Sequence, residues 1–196
     1  MLQIISGKFF ETDDRNIFDA FGVLYSNYFS GIDIETCIAS LSKIYTDRRP
    51  YSQYIVKYRN QIERDPVLIR TGDDVIIQQL ESVCIFGLQA MFDIERKNLE
   101  LYCRPKQSPP QWPSGSVPRF FDPVIYGTKE EIERFAFLVK KIIGLPRVKY
   151  NVVIKCLNAY SNSLKMLDYN FNLAYSSLIF CLETLSQNFD MYRIMW

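Results

Sequence analysis

Few residues in this chain combine a reactive type with a suggestive setting, and those few do not converge. Asp13-Asp14 and Asp73-Asp74 are paired carboxylates. Adjacent acids hold a divalent cation only when further ligands arrive from elsewhere, and turn formation and helix capping explain both pairs more simply. Arg48-Arg49 runs into Pro50 and forms a short basic turn able to touch phosphate. Glu183 stands apart, inside the apolar run Ile179-Phe180-Cys181-Leu182-Glu183-Thr184-Leu185. A carboxylate there needs a partner or access to water. It therefore either borders the core and reaches solvent, or supports a groove between helices.

What is missing narrows the chemistry further. The 196 residues include no histidine, the one side chain that exchanges protons near neutrality without a perturbed pKa. Ser-His-Asp and Cys-His nucleophile systems are excluded, as are histidine metal sites. Carboxylate, lysine or tyrosine chemistry remains open, but no catalytic residue can be assigned. The five cysteines, Cys37, Cys84, Cys103, Cys156 and Cys181, contain no CxxC, so a cysteine-only zinc site is not expected. Their apolar neighbours read as reduced, buried thiols. No phosphate loop or dinucleotide fingerprint occurs, and no metal or cofactor is implied.

The elements that must position these residues fall into an α+β order. Residues 1–104 read as an antiparallel β domain, a sandwich or a partly open barrel. Strand candidates are 2–10, 21–29, 34–45, 54–58 and 67–71. After a short helix that Asp73-Asp74 could cap, a meander over 82–88, 90–94 and 99–104 follows, its last turn made by Glu95-Arg96-Lys97-Asn98. Residues 105–123 hold six of the nine prolines and read as a connector, since proline fixes φ and removes a donor. Residues 124–196 then read as an antiparallel helical bundle. Thr128-Lys129-Glu130-Glu131 is a capping box, followed by a stripe of Ile132, Phe135, Leu138, Val139, Ile142 and Ile143 that Gly144 ends. Pro146 opens a second helix and Asp168 caps a third. That third helix is apolar almost all round at Leu178–Leu182, and Met191–Trp196 is apolar except for Arg193. Either another subunit covers this end or the natural protein continues, and the reading favours continuation.

Charge and hydropathy say less. Residues 1–104 carry 12 basic against 15 acidic side chains and 105–196 carry 11 against 7, a mild positive bias in the second half that permits RNA. The first residues lack a basic, then apolar, leader pattern, and no apolar run approaches the roughly 20 residues that span a bilayer. A cytoplasmic protein without membrane contact is expected. The 27 Phe and Tyr residues read as a large aromatic core.

The segment Leu173-Ala174-Tyr175-Ser176-Ser177-Leu178-Ile179-Phe180-Cys181-Leu182-Glu183-Thr184-Leu185 resembles a helix of prokaryotic HEPN domains of the ApeA-like type. The layout, a β-rich region, a connector and then helices, is similar too. The resemblance covers about the last third of the chain. It implies a helical unit, often dimeric, from a class rich in metal-independent ribonucleases of antiviral defence. Glu183 would match the acidic residue that supports the cleft. The hallmark arginine followed by a histidine is absent, so these residues are expected to be inert by themselves. Two functions follow as expectations: a sensing and scaffold portion of a HEPN-type ribonuclease effector, or a non-enzymatic adaptor or immunity subunit. The expected partner is a second copy or another protein bound through the C-terminal helices, with RNA possible.

Overall fold

A computed structural model describes residues 17–44, 51–61, 74–103, 124–167 and 169–189. The anticipated strands at 2–10 and 67–71, the connector at 105–123, Arg48 and Arg49, Asp13-Asp14, Asp73, Asp168 and residues 190–196 lie outside them. The α+β order holds: an antiparallel five-stranded sheet comes first and the long helices follow.

Two ten-residue strands, β1 (Ile17–Ser26) and β5 (Ser52–Gln61), pair along their full length, from Ile17 opposite Gln61 to Ser26 opposite Ser52. Period-two alternation sends Ala20 and Leu24 of β1 and Tyr54, Val56 and Tyr58 of β5 into the core, and turns Phe21, Ile55 and Lys57 outward. The stretch 34–45, read as one strand, is two. β3 (Ile34–Glu35) and β4 (Ala39–Ile44) fold on each other with Ile34 opposite Leu41. The reversal is held by Thr36, whose hydroxyl donates to the Ala39 carbonyl at 2.7 Å and accepts its N–H at 3.0 Å. A short β6 (Phe92–Asp93) completes the order β3-β4-β5-β1-β6.

Among the described residues, helices cover this sheet. α1 (Asp74–Leu88) includes residues 82–88, expected as a strand, and α2 (Arg96–Cys103) takes up 99–103. Among the described residues the antiparallel β domain is thus a five-stranded sheet layered against helices. The reason lies in α1, which buries Ile76, Ile77, Leu80, Val83, Cys84, Ile85 and Leu88. At Gly22 the sheet approaches it so closely that a Cβ would lie 2.0 Å from Ile77 Cδ1, and at Gly87 one would lie 2.5 Å from Phe135. A helix covered on both sides has no polar face, so its sequence lacks the helical period.

The region after residue 124 is fastened to this layer. β2 (Tyr28–Ser30) pairs in parallel with β7 (Ile125–Gly127), and the Ile125 N–H donates to the Asn27 carbonyl at 2.9 Å. The Tyr54 hydroxyl donates to the Tyr28 carbonyl at 2.8 Å. α3 (Lys129–Ile143) starts with the capping box as read: Glu131 N–H donates to Thr128 Oγ1, and Thr128 N–H donates to the Glu131 carboxylate. Its Ile132, Phe135, Val139, Ile142 and Ile143 are buried and Leu138 partly so, against α1 and β3. α4 (Arg147–Met166) lies on α1, and α5 (Phe171–Phe189) lies on α4. The three helices follow the sheet as anticipated: α4 and α5 pack chiefly on each other, and α3 and α4 both also rest on α1. One buried cluster draws on the sheet, α1, α3 and α4 together. Among the described residues no helix is long and apolar enough to cross a membrane.

Candidate functional site

The most concentrated polar chemistry in the fold gathers where α1, β6 and α4 meet. Glu81 on α1, Asp93 on β6 and Lys165 on α4 converge. The ammonium stands 2.5 Å from Glu81 Oε1 and 3.0 Å from Asp93 Oδ2. Asp93 also accepts the Glu95 N–H at 2.7 Å and faces the Asn98 amide, in the turn that leads into α2. Glu81 takes a further bond from the Ile94 N–H. Burial raises the Glu81 carboxyl above its ordinary value, with Lys165 opposing and Asp93 reinforcing. Burial works to lower the Lys165 ammonium, but Glu81 and Asp93 outweigh it and hold it raised.

This geometry limits what the trio can do. A lysine nucleophile needs a free lone pair, which burial or a neighbouring cation supplies by lowering its pKa. Here two carboxylates do the opposite and keep the amine protonated. The trio is a clamp: it joins the helix on the sheet, the edge strand and the first helix of the C-terminal hairpin through one buried cation. Nearby, Tyr150 of α4 donates to Gln79 of α1 at 3.1 Å. Among the described residues no group of three or more His, Cys, Asp or Glu could hold a metal ion.

The second candidate is the α4–α5 hairpin. Its register can be read from side chains. Lys149 Nζ donates to the Asn188 carbonyl, and the Cys156 and Cys181 thiols each reach the other residue's backbone carbonyl. Two further turns along both helices, the same register sets Ser163 opposite Ala174, both buried. Small side chains at these positions let the helices approach closely. α5 starts at Asn170, whose side chain accepts the Leu173 N–H at 3.1 Å. Only Ala174 and Cys181 of α5 are buried. Phe171, Leu173, Tyr175, Ile179, Phe180, Leu182 and Phe189 are exposed, Phe180 by 65 % and Leu182 by 63 %. Phe171 and Tyr175 stack with ring centroids 6.3 Å apart.

Glu183 lies on this helix and is exposed. It is the one charged residue of α5, beside an apolar face that faces solvent. Cations instead flank the α3–α4 turn: Lys140 and Lys141 are exposed at the end of α3 and Arg147 and Lys149 are half-buried at the start of α4, with Arg134 exposed further back on α3. Lys141 sits 5.0 Å from the exposed Phe137 ring and Lys149 sits 4.3 Å from the Phe189 ring. Sequence reasoning missed the trio, although Glu81 is the one charge in Val75–Leu88 and Lys165 lies between the apolar Leu164 and Leu167. No family model, curated protein or solved structure matches the chain.

Proposed function

We propose that this chain is a non-enzymatic, cytoplasmic interaction subunit that binds protein through the exposed apolar face of α5. The observation carrying this reading is a 19-residue helix with one charge and seven exposed large apolar side chains, far more than scattered surface residues need. The partner best fitted to it is a second copy. Phe171, Tyr175, Leu178, Leu182, Leu185 and Phe189 recur at intervals of 4, 3, 4, 3 and 4. That pattern reads the same in both directions, so an antiparallel copy would match it position for position. A nearly uncharged face brings no like-charge repulsion to such a pairing. Light scattering after size exclusion tests it. The native chain should run at twice its 23.1 kDa, and Leu182→Asp should run at the single-chain mass. A native chain that is monomeric at high concentration and captures no protein would overturn the reading.

The cationic α3–α4 turn favours a second reading, in which the chain is the sensing and scaffold portion of a HEPN-type ribonuclease effector in antiviral defence. Arg134, Lys140 and Lys141 would then contact RNA backbone, with affinity falling steeply as salt rises. Cations in the last turn of a helix are also favoured by its dipole, so the two roles must be separated by measurement. Gel-shift titration with single-stranded RNA should show salt-dependent binding that Lys140→Glu with Lys141→Glu removes. No shift with the native chain at low salt would discard this reading and leave the first intact.

A further inference from the structure

The α4–α5 contact contains a pair of thiols placed to react with each other. Cys156 Sγ lies 3.7 Å from the Cys181 carbonyl oxygen, and Cys181 Sγ lies 3.5 Å from the Cys156 carbonyl oxygen. Reciprocal contacts of this kind put both side chains at one level of the antiparallel pair, each already reaching the other's backbone. The Lys149–Asn188 contact fixes the same register one repeat away, so the placement does not depend on the thiols alone. Disulfides between helices need Cα atoms roughly 4.4–6.8 Å apart, and close approach is what the small buried side chains at the Cys156/Cys181 and Ser163/Ala174 levels provide. Both thiols are 6 % exposed, at the margin of the core and not deep inside it. Cys84, by contrast, is fully buried among the α1 core residues.

We propose that Cys156 and Cys181 form a redox-responsive disulfide that pins α5 to α4. The oxidant is a small-molecule disulfide of the glutathione class. One protein thiolate attacks it and expels one small thiol, leaving a mixed disulfide. The second protein thiolate displaces the other small thiol and closes the S–S bond. The two electrons and two protons lost by the cysteines leave with the two small thiols. Burial raises both cysteines, and Cys156 further raises Cys181. Oxidation of the docked hairpin is therefore slow at neutral pH and should accelerate as pH rises.

The bond would span 25 residues of chain and would suppress separation of α5 from α4 by about a hundredfold or more, from the loop entropy it removes. This bears directly on the helix that carries the exposed apolar stripe, yet it stands on different residues from that stripe. The test uses the full chain treated with oxidised glutathione and then alkylated. The expected result is an intact mass lighter by two hydrogens before alkylation and two fewer alkyl groups than the reduced control after it, a linked peptide pair containing Cys156 and Cys181, and slower protease cleavage of α5 that a reductant reverses. Cys156→Ala and Cys181→Ala should each abolish the link. Two free thiols at these positions after prolonged oxidation, stable mixed disulfides with glutathione, or pairing with Cys37, Cys84 or Cys103 would each overturn the proposal. Because the mapping is made on the native chain, the conclusion survives even if a variant folds poorly.

Discussion

α1 and α5 are both strongly apolar helices with a single glutamate set among hydrophobic residues, and they meet opposite fates. α1 lies between the sheet on one side and α3 and α4 on the other, and Leu80, Cys84 and Ile85 are fully buried. α5 has α4 alone, and leaves most of its large side chains at the surface. The same difference decides the two glutamates. Glu81 is drawn inside and must be met by Lys165, while Glu183 stays in water and needs no partner. Apolar composition specifies that a helix wants cover on several sides. Whether the chain itself provides that cover is a property of the topology.

Variants that break this contrast rank themselves by burial. Lys165→Met should be the most damaging, because it strands two carboxylates in the interior. A loss of about 3–5 kcal/mol is expected, visible in urea unfolding, and a Glu81→Gln background should recover part of it. Leu80→Ala on α1 comes next, at about 2–5 kcal/mol for a cavity in a packed layer. Thr128→Ala removes the cap of α3 and should cost about 1 kcal/mol. Leu182→Ala on α5 should change the unfolding free energy of a single chain by less than about 0.5 kcal/mol. A large loss at Leu182 in dilute monomer would show that α5 has cover within its own chain, and the contrast would fall.

pH sharpens the same comparison. The Lys165 ammonium is raised above 10.5 in the folded protein, so protonation favours folding. That contribution is present in full below 10.5 and is lost as pH climbs through the raised folded value. Alkaline unfolding of the native chain should therefore be steeper than that of Lys165→Met, for which this group no longer titrates. Glu81 is raised too, so its share of stability is greatest below its ordinary 4.5 and declines as pH rises through the folded value.

The parts of the fold that were legible in the sequence are those with one wet side. α3 was readable to the residue, from Thr128 to Gly144, since its stripe has polar residues opposite. β5 was readable at Tyr54–Tyr58 for the same reason in a period of two. α1 was not, because burial on both faces erased the alternation that separates helix from strand. The division of 34–44 into two strands was hidden because no glycine or proline marks the turn at Thr36. For the site, an isolated charge in an apolar run was a sound signal applied to one of two cases. It selected Glu183, while Glu81 carried the same signature with its partners at positions 93 and 165, too distant for spacing to reveal.

The parallel pair of β2 and β7 has a consequence for how the protein is made. Its strands are joined across 97 residues of chain, from Tyr28 to Ile125. During synthesis the sheet and α1 emerge first, with the far side of α1 and the backbone of β2 still bare. Neither can close until residue 127 and the helices behind it have left the ribosome. Closing so long a loop is slow, and meanwhile an apolar helix and an open strand edge invite the wrong neighbours. Until residue 127 has been made, the first half therefore presents an apolar helix face and an unpaired strand edge that only the second half of the chain covers.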